Sequence, residues 1–195
     1  WILLEMDEPI LKSIANTFEG PVYVYNGDQI QRQYNRLKNA FSGVENLQIK
    51  YACKALSNIS ILGLMNSMGS GLDTVSIEEV QIGIKAGFDP KKIIFTPNGV
   101  SMEEIERVAS LGVQINIDNL SVLEQFGSKH PEIPVCIRIN PHVMAGGNSN
   151  ISVGHIDSKF GISIHQIPHI IRIVENTKIG FEFEETEGLG LLDAE

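Results

Sequence analysis

The stretch GSGLDTVSIEEVQIGIKAGFDPKKIIFTP, residues 69–97, decides the fold. It reads as a strand, a helix and a second strand in quick succession. GLDTVS (71–76) is a strand-like run, and KIIFTP (92–97) is another. Between them Ser76 is followed three residues later by Glu79, the spelling of a capping box, so a helix opens there and closes near Gly87. The GSG at 69–71 precedes a strand rather than a helix, which makes it a turn and not a phosphate cradle.

The same design recurs on both sides. Further strand-like runs are VYVY (22–25), LQIKYACKA (47–55), VQINID (113–118) and PVCIRIN (134–140). Most are too apolar to be half-exposed and are expected to be covered on both faces. Helical patterns lie between them at 58–69, 101–112 with Ser101 as cap and Glu104 at the third position, 118–129 with Asp118 or Asn119 as cap, and 164–177 with Pro168 in its first turns. An amphipathic stretch at 5–18 opens the chain. The strand-end residues Lys54, Thr74, Thr96, Asp118 and Asn140 are spaced 20, 22, 22 and 22 apart. A strand–helix unit repeating every 20–25 residues or so predicts a parallel α/β fold. Right-handed crossovers leave an open doubly wound sheet or a (β/α)8 barrel, and the even step favours the barrel. Eight units take about 250 residues, and five or six are visible. The barrel is therefore expected to be incomplete here and the chain to be part of a longer polypeptide.

The bulk numbers narrow the partners. With 15 basic against 24 acidic residues the net charge is −9, and no basic cluster stands out, which argues against nucleic acid or an anionic membrane. No run approaches the ~20 apolar residues of a membrane span. Cys53 and Cys136 each sit in an apolar run, the pattern of a reducing compartment rather than a disulfide framework. WILLEMDEP carries no signal-peptide pattern, and the chain opens on Trp1.

In parallel α/β folds ligands sit at the carboxyl ends of strands, so polar residues there carry the chemistry. Lys54 ends one run, Asp73 lies in the next, and Arg138 is embedded in one of the most apolar runs of the chain. Alternation puts Lys50, Ala52 and Lys54 on one face, with small Ala52 leaving room beside the amine. An amine among apolar groups has its pKa pushed down and keeps a nucleophilic fraction, which a Schiff-base lysine requires. Asp73 would orient that amine, and Arg138 could hold an anionic oxygen. The plainer readings are a snorkelling surface lysine, a turn or cap aspartate, an arginine in a structural ion pair and, for Glu79, the capping partner of Ser76. The histidines at 130, 142, 155, 165 and 169 show no metal-ligand spacing; His165 and His169 are four apart but lack a third ligand.

The runs PVYVYN, YACKALSN, GSGLDTVSIEEVQIGIKAGF, KIIFTPNGVS, INIDN, RINP and SKFGIS, in this order over residues 20–177, resemble the diaminopimelate decarboxylases. These are pyridoxal-phosphate enzymes of the alanine racemase-like barrel type, related to the ornithine and arginine decarboxylases. The resemblance implies that Lys54 carries pyridoxal 5'-phosphate covalently, that Asp73 is the acidic residue beside it and that Arg138 and Glu79 lie near the cofactor. Lys159, in SKFG, would border the site. It further implies decarboxylation of meso-diaminopimelate to L-lysine by a cytoplasmic homodimer. Two alternatives stay open: a decarboxylase of another basic amino acid or of carboxynorspermidine, and a non-catalytic homologue. Residues 1–19 are expected to be a helical segment of the same domain, 20–179 a partial barrel and 180–195 an atypical acidic tail. His155 precedes SKFG and does not match the family's later His-x-Gly-Ser motif. That motif, the glycine-rich phosphate loop, the Glu-Pro-Gly segment and the C-terminal β domain of the family have no counterpart in these residues.

Overall fold

A computed structural model describes residues 7–142 and 160–181. The chain divides into two compact units, residues 1–49 and 50–195. The first contains helices α1 (Glu8–Thr17) and α2 (Gly27–Ala40). Asn26 caps α2 by accepting the Gln29 N–H at 3.0 Å, and Tyr34 is its buried residue. The sequence reading did not foresee α2, although Ile30, Tyr34, Leu37 and Phe41 have the spacing of one helix face. The reading of VYVY as a strand is corrected. Residues 21–26 form no ladder, and Tyr23 is 91% exposed. Extended residues count as a strand only when a neighbour takes up their N–H and C=O groups, and these have none among the described residues.

The second unit is built on β1 (Lys50–Ala52), β2 (Gly71–Thr74), β3 (Ile93–Phe95), β4 (Gln114–Ile117) and β5 (Val135–Ile137). All four pairings are parallel, and the sheet order is the chain order, β1-β2-β3-β4-β5. One helix fills each crossover: α3 (Ile59–Ser67), α4 (Ile77–Lys85), α5 (Met102–Ala109) and α6 (Leu120–Lys129). A doubly wound sheet reverses its strand order at a switch point; this sheet does not, as a barrel wall does not. The wall continues through β6 (Ile139–Asn140), paired in parallel with β7 (Ile162–Ser163), and helix α7 (Ile167–Thr177) follows.

The starts of α4, α5 and α6 lie where the sequence puts them, whereas α7 begins at Ile167 after a 3-10 turn over Ile164–Gln166. The Ser76 and Ser101 hydroxyls accept the N–H groups of Glu79 and Glu104. Asn119, rather than Asp118, caps α6 through Ser121 and Val122. Each cap satisfies donors that the first helical turn leaves unpaired.

Along β2, β3 and β4 burial alternates strictly. Leu72, Ile93, Phe95, Ile115 and Ile117 are at most 2% exposed. The helices cover that face: a Cβ on Gly83 of α4 would lie 2.4 Å from Leu72 Cδ2 and 3.4 Å from Ile93 Cδ1. Burying each such side chain contributes roughly 1.5–3 kcal/mol. The opposite face, with Asp73, Ile94, Gln114 and Asn116, is only half-buried. The expectation of cover on both faces is thus corrected: among the described residues only the helix side is packed. Polar residues gather on the other side, the inner face of the wall.

Candidate active site

The strand expected over 47–55 is shorter than its apolar run. Pairing ends at Ala52, and Cys53–Ala55 turn into a short 3-10 helix. Lys54 therefore sits on a turn at the carboxyl edge of the sheet, not inside a strand, and it is exposed. Among the described residues the apolar surroundings expected for its amine are absent. A three-residue β1 and the open inner face leave nothing to bury it. Cys53, its neighbour, points the other way and is fully buried. Burial first, then the charges of Glu79 and Asp73, push the Cys53 thiol up to about 11, which makes it core filler and not a nucleophile.

Asp73 lies beside Ala52 in the β1–β2 register. Burial raises its carboxyl above the usual aspartate range. The Thr96 hydroxyl and then the positive charges of Lys54, Arg138 and Lys50 pull it back without cancelling the burial. Two of the other three expected site residues, Lys54 and Arg138, are thus within electrostatic reach of the Asp73 carboxyl.

Arg138 stands at the break between β5 and β6. Its N–H donates to Ile117 O and its carbonyl accepts from Ile162 N–H, both at 2.8 Å. Its guanidinium carbon lies 4.8 Å from the centroid of the Phe160 ring, a cation–π contact that orients the side chain. Gly161 makes this approach possible. Its φ is +78°, and a Cβ there would meet Asn140 N at 2.9 Å.

Glu79, the fourth expected residue, has a structural occupation: its Oε2 accepts the Val75 N–H at 2.8 Å at the start of α4. Its charge bears on Cys53, whose thiol it helps to push up. Lys159 and His155 lie outside the described residues, as does the expected tail beyond Phe181.

Sequence reasoning missed Thr96 and Asn116. Thr96 follows β3 directly, and its N–H continues the ladder to Thr74 O at 2.8 Å. Its hydroxyl donates to Asp73 Oδ1 at 2.8 Å and accepts from Asn116 Nδ2 at 3.5 Å. Asn116 Oδ1 is buried without a partner among the described residues. The signal was present in the chain: Asp73, Thr96 and Asn116 hold the same parity on successive strands, so alternation aims all three inward.

A cleft of about 430 Å³ opens next to this row, lined by Asn98, Ile105, Asn116, Asp118, Asn119 and Ser121 among others. It lies over the ends of β3 and β4, and neither Lys54 nor Asp73 lines it. Asn116 belongs to both. The charges converge at the Lys54–Asp73 row, and the cleft is the space adjoining it. Among the described residues no group of three His, Cys, Asp or Glu is arranged to hold a metal ion, and no helix is long and apolar enough to cross a membrane.

The family model described as "Pyridoxal-dependent decarboxylase, pyridoxal binding domain" matches residues 27–181. The chain belongs to the pyridoxal-dependent decarboxylase family. Within it, the chain is 35% identical over 187 residues to the diaminopimelate decarboxylase of Methanothermobacter thermautotrophicus, covering 93% of this chain and 43% of that protein. It is 37% identical over 156 residues to the Helicobacter pylori enzyme of the same name, covering 77% and 38%. The crystal structure of a Helicobacter pylori diaminopimelate decarboxylase complexed with L-lysine superposes with a TM-score of 0.77 at 32% identity, over 88% of this chain and 44% of that one. The Vibrio vulnificus lysine/ornithine decarboxylase, at 22% identity and a TM-score of 0.73, shares the fold. The chain spans less than half the length of the relatives it matches. Its sheet is accordingly part of the alanine racemase-like barrel of the pyridoxal-dependent decarboxylases, and the family's cofactor is pyridoxal 5'-phosphate.

Proposed function

We propose that a protein carrying this chain decarboxylates meso-diaminopimelate to L-lysine, and that these residues supply the lysine end of its cofactor site. The observation that carries the reading is the convergence of Lys54, Arg138 and Lys50 on the half-buried Asp73 carboxyl, bonded to Thr96, at the carboxyl edge of a parallel wall.

The residues fit pyridoxal 5'-phosphate chemically. An exposed primary amine is available at Lys54, small Ala52 is in register with Asp73, and Asn116 Oδ1 is a buried acceptor still lacking a donor. Lys54 would hold the cofactor through Nζ. When bound, pyridoxal phosphate supplies the electron sink for the pair left behind as CO2 departs. The Asp73 carboxyl feels the Lys54 charge, and Lys54 Nζ would be the group placed to carry a proton at this edge of the wall. Arg138, always charged and steadied by Phe160, would hold an anionic oxygen facing the row. Glu79 fixes the start of α4 behind Cys53 and adds negative charge to the neighbourhood. Cytoplasmic residence and a homodimer belong to the same proposal. They rest on the resemblance and on the diaminopimelate decarboxylase relatives.

Borohydride reduction of the full-length protein with pyridoxal phosphate should fix the cofactor on Lys54, located by peptide mass. The label on another lysine, or on none, would end the reading. Turnover of meso-diaminopimelate in preference to ornithine, arginine and carboxynorspermidine would establish the substrate, and preference for any of the other three would replace it.

A further inference from the structure

The Asp73–Thr96–Asn116 row has a direction. A threonine hydroxyl has one proton to give. Thr96 gives it to Asp73 Oδ1 at 2.8 Å, so its lone pair is what faces Asn116, and the Asn116 amide turns its N–H toward Thr96 at 3.5 Å. The row therefore runs from Asn116 to Thr96 to Asp73, ends on a carboxylate and leaves Asn116 Oδ1 buried at its far end. The opposite polarity needs a protonated Asp73 donating to Thr96 and a reversed Asn116 amide. Donor direction thus depends on the charge on Asp73: while the carboxylate is ionised it can only accept, and Thr96 must be the donor. Thr96 is a fixed relay: its β-branched side chain has few χ1 choices, and its N–H is anchored to Thr74 O at 2.8 Å. The groups acting on Asp73 from the packed elements are Lys54 and Lys50 on the β1 side and Arg138 beyond β5, while Cys53 beneath is neutral.

We propose that Thr96 is a positioning residue for the decarboxylase site: its hydroxyl, oriented by Asn116, fixes the Asp73 carboxylate in the ionised form and rotamer that face Lys54. The inference rests on the assignment of Lys54 as the cofactor lysine. Thr96 touches neither cofactor nor substrate in this role and acts only through Asp73. A valine keeps the shape of threonine and removes the donor, whereas a serine keeps the donor and removes a methyl group.

The test uses the full-length holoenzyme and compares Thr96→Val, Thr96→Ser and Asp73→Asn/Thr96→Val. Thr96→Val should move the acid limb of kcat/KM to higher pH and lower kcat/KM on that limb by about tenfold, the value of one pH unit. The pH dependence of the cofactor's visible absorbance should move in the same sense. Thr96→Ser should leave both where the wild type has them. In the Asp73→Asn background Thr96→Val should have no further effect on either. Loss of activity in Thr96→Val with an unmoved limb and spectrum would reduce Thr96 to a packing residue and overturn the inference. A Thr96→Ser limb displaced as far as that of Thr96→Val would do the same. Borohydride labelling of the wild type separates the two levels. Label on Lys54 with an unmoved limb defeats the Thr96 inference alone, whereas no label on Lys54 defeats the proposed function and this inference with it.

Discussion

Glu104 Oε1, in the first turn of α5, accepts the backbone N–H of Ile77, the first residue of α4, at 3.0 Å. A capping box would return that carboxylate to its own helix; here it satisfies an orphan donor of the neighbouring one. The contact ties together the helices that follow β2 and β3, at the edge of the sheet that carries Asp73 and Thr96. Glu104→Ala should lower stability by about 1 kcal/mol, the usual worth of a net hydrogen bond at a part-exposed site. Glu104→Gln, whose amide oxygen still accepts, should lose less than half of that. Urea midpoints of the two variants decide it, and equal losses would mean that the charge alone matters.

Gly71 opens β2 under tight constraint. A Cβ there would stand 2.7 Å from the Lys92 carbonyl oxygen and 3.0 Å from Lys50 Cγ. The first of these is backbone and cannot step aside without disturbing the start of β3. Gly71→Ala should cost about 1–3 kcal/mol, the range of an overpacked site, although alanine restricts the unfolded chain more than glycine does. A neutral or stabilising alanine in a urea titration would contradict the register drawn for β1, β2 and β3.

Much of this was legible in the chain because it depends on local spacing. Short strands and short helices fix the even step, and the Ser76 and Ser101 caps follow from side chains three residues from their targets. Three features were not legible, each for a non-local reason. VYVY has strand composition but no neighbour among the described residues. Lys54 was read as buried because the apolar run continues to Ala55, yet β1 stops at Ala52 and the backbone turns. Thr96 and Asn116 look like ordinary strand residues until the register sets them in line with Asp73 across three strands. Alternation puts Lys50 and Ala52 on one face from the sequence alone, but it cannot say that this face stays half-open.

Cys53 offers a chemical check on which way β1 faces. It is fully buried, and its thiol is pushed up to about 11. At pH 8 roughly one thiol in a thousand would be ionised. Iodoacetamide at that pH should leave Cys53 unmodified in the folded protein and modify it in urea, read by peptide mass. Rapid native labelling would mean that Cys53 and Lys54 have exchanged faces, and the cofactor site would have to be redrawn.

Asp73 should reveal itself as a residue kept for function at the expense of stability. Burial holds its carboxyl above the ordinary aspartate value, and the Thr96 hydroxyl, Lys54, Arg138 and Lys50 only partly offset this. The folded state then binds the proton more tightly than the unfolded state does. Stability from this group is fully present below the unfolded value of about 3.9 and is lost as pH rises through the higher folded value. Asp73→Asn keeps an acceptor for Thr96, carries no charge and cannot titrate. The apo variant should match the wild type near the lower end of that window, gain on it as pH rises and stay more stable at pH 7. In the holoenzyme it should lose activity by about a hundredfold or more, the scale of a group that governs proton transfer. Urea midpoints of both proteins between pH 3.5 and 7 test the first half. Parallel curves, or a variant less stable than wild type at pH 7, would mean that the cations around Asp73 outweigh its burial, and that the carboxylate stabilises the barrel wall rather than burdening it.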